Sequence, residues 1–168
     1  MAIRRGRLSG RGKKIGIVVS RFNEFITRRL LQSAFETLEQ AGVRPSSIET
    51  VWVPGALEVP FFCKKLSRQK KWDAVIALAC VLRGETRHFE CVAGEIVRGV
   101  SQAALETGIP IATGIITADH LEQAIDRAGL KSGNKGAQAA LAALEIADLH
   151  RELGRARSSR PRRPAEIR

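Results

Sequence analysis

The sequence predicts an α/β fold, a three-layer α/β/α sandwich around a four-stranded, mostly parallel sheet. Strand and helix patterns alternate four times along the chain. The unbroken apolar run of residues 74–82 has the length and composition of a central strand that is buried on both faces. No internal repeat or low-complexity linker divides the 168 residues, of which 44% are hydrophobic, so they fit one domain with a substantial core.

The first half of the chain predicts two strand–helix units, each bounded by residues that start or stop a helix. The expected elements are a strand at 14–20, a helix from the N-cap Asn23 to Gly42, a strand at 48–53 and a helix from Ala56 to about Leu66.

The second half predicts two further units and a final helix. The expected elements are the central strand at 74–82, a helix from Glu85 to about Gly108, a strand at 109–116, a short helix at 120–128 and an Ala-rich helix at about 137–153. The last helix is apolar on nearly all sides at 139–144, so it needs cover from more than one direction. A subunit interface and tight packing on its own sheet both remain open explanations.

The net charge of +11 is concentrated at the two ends of the chain. Residues 1–14 carry six Lys/Arg and no acid, and residues 154–168 carry six Arg and one Glu, which leaves a neutral body. We therefore divide the chain into a basic leader at 1–12, a domain at 13–153 and a basic, disordered tail at 154–168. Mobile ends of this kind either solvate the protein or bind RNA, an acidic partner or a membrane surface, and we favour solvation.

Cysteine usage and hydropathy are typical of a cytoplasmic protein without a membrane partner. Cys63, Cys80 and Cys91 are odd in number and form no Cys-x-x-Cys pair, so we expect buried thiols in a reducing compartment. No apolar run reaches transmembrane length, and no signal-peptide apolar region follows the first arginines. His88 and Cys91 lie one helical turn apart, but no second pair completes a metal site.

Candidate ligand-binding residues follow the predicted strands at one edge of the sheet. Phe22 follows the first strand, Glu58 follows the second, and residues 84–88 follow the third. Open α/β folds bind ligands at this edge, and helix N-termini there hold anions. No phosphate loop or dinucleotide motif follows a strand, so the prediction rests on this convergence. For His88, an ordinary surface histidine remains the alternative.

Five segments in order resemble the lumazine synthase family, and the resemblance covers roughly residues 13–151. The segments are SRFN at 20–23, VPGALEVP at 53–60, LRGETRHFE at 82–90, EQAIDRAG at 122–129 and GNKG at 133–136. The resemblance implies a flavodoxin-like fold and a transferase of riboflavin biosynthesis. Family members condense 5-amino-6-ribitylaminouracil with 3,4-dihydroxy-2-butanone 4-phosphate to 6,7-dimethyl-8-ribityllumazine, phosphate and water, without metal or organic cofactor. Two alternatives on the same fold are a flavin-binding store and an RNA-binding scaffold that acts through the basic tails.

The resemblance also implies which residues act. His88 is the proton-transfer residue, because imidazole exchanges protons near neutral pH. The residues expected to bind ribitylaminouracil are Phe22, Ala56, Leu57, Glu58, Cys80, Val81, Leu82 and Thr113. The residues expected to bind butanone phosphate are Glu85 and Thr86, through backbone amides, and Arg127, with Lys135 close to the ligand. Three of these have structural alternatives, namely a helix staple for Phe22, a helix-dipole acid for Glu58 and a solvated cation for Arg127.

The resemblance also implies an assembly of several subunits, and the chain departs from the family pattern at one position. The resemblance implies pentameric rings, which in some members form decamers or a hollow sixty-subunit shell. It assigns Phe22, Glu58 and His88 to one side of a shared site, and Thr113 and Arg127 to the neighbouring subunit. Many members carry an aromatic residue at the position of Thr113, so we expect a thinner or more polar pocket wall here.

Overall fold

The computed structural model describes residues 1, 3–85, 88–129 and 133–158, with the backbone alone for residue 88 and residues 155–158. Strands and helices alternate as the sequence predicts. The strands are β1 (Ile15–Ser20), β2 (Ile48–Val53), β3 (Ala74–Leu82) and β4 (Ile111–Ala118). The helices are α1 (Glu24–Gln40), α2 (Val59–Arg68), α3 (His88–Thr107), α4 (Leu121–Arg127) and α5 (Lys135–Ser158), with a 3-10 turn at Pro45–Ser47.

The four strands form one parallel sheet in the order β2–β1–β3–β4. The chain leaves β1 for β2 on one side and then crosses to β3 on the other side. This reversal makes the carboxyl ends of β1 and β3 the topological switch point, where doubly wound sheets bind ligands. The predicted three-layer fold is confirmed.

Alternating residues of the strands build a separate core on each face of the sheet. Ile17 and Val19 of β1 join α1 and α5 in one core. Val18 faces the other side and joins α2 and α3. β3 is buried on both faces, as its apolar composition predicts.

Several helix and strand boundaries differ from the predictions, and three of them have clear local reasons. α2 begins at Val59, not at Ala56, because residues 56–58 form turns in which the Val59 N–H donates to the Ala56 carbonyl. β4 begins two residues later than predicted, just after Pro110, which has no N–H for the sheet. α5 begins at Lys135, since the Asn134 side-chain oxygen accepts from two N–H groups of its first turn.

Packing on its own sheet explains most of the apolar surface of α5. Its buried residues join α1 and the sheet in one core, and they are Ala139, Ala140, Ala143, Leu144 and Ala147. Leu141 remains 40% exposed on the other side. A subunit interface on that side stays a prediction.

The interpretation of the N-terminal residues as a mobile leader is wrong for the part that the structure describes. The Arg7 N–H donates to the Asp148 carboxylate at 2.9 Å, and the buried Lys13 ammonium lies 3.4 Å from the same carboxylate. At Gly6 a Cβ would overlap the Glu145 carbonyl, so only glycine permits this approach to α5. Residues 154–158 of the predicted disordered tail lie in α5, which runs to Ser158, so that prediction is wrong there, and residues 159–168 lie outside the described residues.

In the part of the chain that the structure describes, no helix is both long enough and apolar enough to span a membrane.

Candidate active site

A cavity of about 340 Å³ opens at the carboxyl end of the sheet. Its walls come from the segments after β1 and β2, the end of β3 and the first turns of α3. The lining residues are Phe22, Gly55, Ala56, Leu57, Glu58, Cys80, Val81, Leu82, Gly84, Phe89 and Val92. Seven of the eight residues predicted to bind the pyrimidine substrate are among them.

The cavity opens where β3 extends beyond its pairing with β1 but is still paired with β4. The pairing of β1 with β3 ends at Val19 and Leu78, whereas the pairing of β3 with β4 continues to Leu82 and Ala118. The last residues of β3 therefore present their β1-facing edge to the cavity. Strand backbone groups point alternately to the two neighbouring strands.

Asn23 ties the end of β1 to the end of β3. Its side-chain Nδ2 donates to the Cys80 carbonyl at 3.0 Å, and its backbone adopts the left-handed conformation, with φ 58°. Asparagine tolerates this conformation better than most residues. Asn23 is at the N-cap position of α1, as predicted, but its side chain makes no capping bond. The bond to Cys80 replaces that cap.

Phe22 forms an exposed aromatic wall of the cavity. The Arg21 and Phe22 N–H groups donate to the carbonyls of Val53 and Pro54, which fixes the segment after β1 against the segment after β2. The Phe22 side chain is 68% exposed, too open for a helix staple and free to stack on a planar ligand.

Glu58 contributes a carboxylate to the opposite wall. It occupies the N-cap position of α2, but its side chain makes no capping hydrogen bond. A Cβ on Gly55 would lie 2.8 Å from Glu58 Oε2, so the absence of a side chain at Gly55 leaves room for the carboxylate. The carboxylate is thus available to accept hydrogen bonds from a ligand.

The three cysteines have different environments. Cys80 and Cys63 are buried, and burial raises the pKa of each thiol to about 12, which keeps both neutral and poorly nucleophilic. Cys91 is exposed, so the prediction of a buried thiol is wrong there. The inward face of α3 is occupied by Phe89 and Val92, and Cys91 lies on another side of the helix.

The α3 start lies next to the cavity but later in the chain than predicted. α3 begins at His88, and Glu85 is in an exposed bend, so the expected helix start at Glu85 is wrong. The sheet ladder continues one residue past β3, since the Arg83 N–H donates to the Ala118 carbonyl at 2.9 Å. Thr86 lies outside the described residues.

Phe89 and Val92 line the cavity and were missed by the assignment of site residues. Phe89 and Val92 are three residues apart, and steps of four lead on to the buried positions Ile96 and Val100, which mark the face of α3 that turns inward. This stripe of inward-facing residues, extended back to the start of the helix, is the sequence signal that could have identified Phe89 and Val92.

Thr113, Arg127 and Lys135 are not among the residues that line the cavity. Thr113 pairs with Ala77, roughly 16 Å along the strand from the end of β3 at about 3.3 Å per residue. Thr113 and Arg127 are both exposed, and Lys135 is half-buried at the start of α5.

Arg83 forms a charged cluster beside the cavity. Its guanidinium donates to Asp119 at 2.5 Å and to Glu90 at 3.2 Å, and it lies 4.5 Å from the centre of the Phe89 ring. The hydrogen bond from Arg83 lowers the pKa of Asp119, and the two carboxylates together raise the pKa of Arg83. Arg83 and Asp119 are therefore both charged at neutral pH.

Within the described ranges, no three His, Cys, Asp or Glu side chains lie together as a metal site would require.

The fold and the cavity together define a class of protein. The chain is a doubly wound α/β protein with a candidate small-molecule site at its switch point. The family described as 6,7-dimethyl-8-ribityllumazine synthase matches residues 12–151. A 6,7-dimethyl-8-ribityllumazine synthase from Kosmotoga olearia is 48% identical over 153 residues, which cover 91% of this chain and 98% of that protein. The chain belongs to the lumazine synthase family, and it is therefore a transferase of riboflavin biosynthesis.

Proposed function

We propose that this chain condenses 5-amino-6-ribitylaminouracil with 3,4-dihydroxy-2-butanone 4-phosphate in the cavity at the carboxyl end of the sheet. The products are 6,7-dimethyl-8-ribityllumazine, phosphate and water. The lining of the cavity carries the proposal, because it unites seven of the eight residues predicted for the pyrimidine substrate. Membership of the family supports the same reaction.

The pyrimidine ring binds between Phe22 and the end of β3. The exposed Phe22 ring stacks on the flat face of the pyrimidine. The Cys80 carbonyl points toward β1 and the Arg83 N–H points toward β4, so backbone alternation directs the N–H and C=O of Leu82 toward the cavity. Those groups read the polar edge of the ring, with Val81 beside them.

The ribityl chain extends along the segment after β2. The Glu58 carboxylate accepts hydrogen bonds from its hydroxyls, and the neighbouring Ala56 and Leu57 contribute backbone groups. The lack of a side chain at Gly55 gives this carboxylate its space. The helix-dipole role for Glu58 is compatible with this one, since the carboxylate is at the start of α2.

The butanone phosphate binds near the start of α3, where the helix dipole favours an anion. The backbone of Glu85 and of Thr86 and the Arg127 guanidinium provide the hydrogen-bond donors and the countercharge. Lys135 approaches the same ligand.

His88 moves the protons. Imine formation protonates the carbinolamine hydroxyl so that it leaves as water, and phosphate loss takes a proton from carbon, so a group that both gives and takes protons near neutral pH serves both steps. Its position as the first residue of α3, beside the lining residue Phe89, supports this role. Holding two reactive substrates side by side supplies the rest of the rate enhancement.

The site is completed by a neighbouring subunit. Thr113 and Arg127 are exposed and outside the cavity of their own chain, which fits residues that serve the cavity of the next chain. Head-to-tail contacts of this kind close into rings, and the proposed ring is a pentamer, or a multiple of it up to a sixty-subunit shell. The free thiols of Cys63 and Cys80 fit a reducing cytoplasm.

The direct test mixes purified protein with both substrates and follows the absorbance of the lumazine chromophore. Product that forms only when both substrates are present supports the proposal. A protein that yields no product, but carries bound yellow flavin after purification, would instead be a flavin store. Omission of each substrate in turn is the control.

A further inference from the structure

One guanidinium connects three structural elements beside the cavity. Arg83 follows β3, Asp119 follows β4, and Glu90 lies in the first turn of α3. Arg83 donates through Nε to Asp119 and through Nη1 to Glu90. The two bonds use different nitrogens of the planar fork, which a lysine could not reproduce.

The same guanidinium also touches a residue that lines the cavity. Its carbon lies 4.5 Å from the centre of the Phe89 ring, within the range of a cation–π contact. Phe89 follows His88 directly in the first turn of α3. The guanidinium therefore holds that turn by a hydrogen bond and by a ring contact.

The other end of the cluster is anchored to the sheet. The Arg83 N–H continues the ladder with β4 by donating to the Ala118 carbonyl. The Asp119 N–H donates to Gln123 Oε1 at 3.0 Å, which fixes the junction of β4 with α4. The start of α3 is thus connected through Arg83 to two rigid strands.

Stability is a poor explanation for this arrangement. The Arg83 and Asp119 side chains are 42% and 51% exposed, and exposed ion pairs add little to the free energy of folding. A geometric role is the better explanation, because a catalytic residue on a loose helix end is out of position for part of the time.

We propose that Arg83 is a positioning residue for the proton-transfer step, which holds the first turn of α3, and with it His88, against the end of the sheet. This inference rests on the proposed function of His88. Arg83 acts through the backbone of the helix start and is not itself a proton donor, since its guanidinium remains charged throughout.

The test is a double-mutant cycle on the purified protein, with Arg83→Ala, His88→Ala and both changes together. Arg83→Ala is expected to lower kcat about tenfold, because displacements of about 1 Å cost up to roughly a hundredfold. The KM for the pyrimidine substrate should change less than about threefold, since Phe22 and Glu58 do not contact Arg83. The double variant should be no slower than His88→Ala alone, because a residue that acts through His88 has no effect once His88 is absent.

Four further variants keep the result interpretable. Arg83→Lys retains the charge but loses the fork, so it should resemble Arg83→Ala. Arg98→Ala removes an exposed arginine of α3 that pairs with Glu95 on the same helix, and it should leave kcat unchanged. If Arg83→Ala does not fold, Asp119→Asn and Glu90→Gln each remove one contact and should each lower kcat by a smaller factor.

Amide hydrogen exchange supplies a readout apart from activity. Exchange at residues 89–92 should accelerate in Arg83→Ala, while exchange in β1 should not change. Multiplicative losses in the double variant, or unchanged exchange at the start of α3, would overturn the proposal. If the wild-type enzyme turns over and His88→Ala is equally active, the role of His88 is refuted. If the wild-type protein itself shows no turnover, the proposed function is refuted.

Discussion

The residues predicted for the site lie in two regions, one at the ends of β1, β2 and β3 and one at the edge strand β4, and the two regions differ in shape and exposure. Next to β1, β2 and β3, seven predicted substrate-binding residues converge on one cavity within the chain. Next to β4, Thr113 and Arg127 are exposed and contribute nothing to that cavity. This difference supports the proposal that one chain carries two incomplete halves of a site, one concave and one exposed. We therefore expect changes on the first side to affect a site in the same chain, and changes on the second side to affect a site in another chain.

The largest effect is expected on the cavity side, from His88→Ala. We predict that kcat falls by about a hundredfold, at the low end of general acid–base effects, because the proximity of the substrates survives. Stopped-flow measurement of lumazine formation checks the value. His150→Ala, on the exposed surface of α5, is the matched control and should leave kcat unchanged. Equal rates for the two variants would reduce His88 to a surface residue.

Glu58→Gln should have a smaller effect in the same cavity. Hydrogen bonds to a charged acceptor are roughly twice as strong as those to a neutral one, so we predict that the KM for the pyrimidine substrate rises about tenfold. The KM for butanone phosphate should stay within about twofold of wild type. Steady-state kinetics with each substrate varied in turn separates the two constants. Glu39→Gln, an exposed change on α1, is the control. A rise in both constants alike would assign Glu58 a general structural role.

Thr113→Phe tests the exposed side. An aromatic ring at this position adds stacking surface for the pyrimidine, so its KM should fall by about threefold. Titration calorimetry with the pyrimidine substrate measures the same gain in affinity. Thr50→Phe introduces the same side chain on exposed edge strand β2 and should have no effect. Unchanged affinity in Thr113→Phe would remove this residue from the site.

Removal of residues 159–168 should have the smallest effect on catalysis. Residues 159–168 carry four Arg and one Glu of the basic ends, so the truncated protein should bind RNA more weakly and with less salt dependence, and it should keep its kcat within about twofold. Removal of residues 1–11 should instead lower the thermal midpoint, since the leader contacts Asp148 and Glu145 of α5. Filter binding at several salt concentrations and a thermal melt measure the two outcomes. An unchanged thermal midpoint after removal of the leader would contradict its packing against α5.

Local patterns were enough to predict the sheet and the edge at which the cavity opens, whereas the resemblance to the family supplied most of the residues that line it. The length and composition of the β3 run favour a buried central strand, and the residues after each strand must meet at one edge of a parallel sheet. Phe22, Glu58 and the end of β3 therefore come together as the order of the strands requires.

Long-range contacts account for what the sequence could not indicate. Lys13 and Asp148 are separated by 135 positions, so no local pattern near either residue predicts that the leader packs against α5. The ladder bond from Arg83 to Ala118 also joins residues that are far apart in the sequence, so no local helix or strand pattern predicts it. The division at residues 12 and 153, and the roles of the site residues, stay predictions.

The most direct test of the central claim is complementation between two inactive chains. His88→Ala and Arg127→Ala subunits are unfolded, mixed in equal amounts and refolded, and mass spectrometry verifies that the rings are mixed. If His88 and Arg127 meet across a subunit boundary, random rings should regain about a quarter of wild-type sites, since each good site needs one intact face from each chain. Activity no greater than the average of the two separate variants would contradict the account, because the whole site would then lie within one chain.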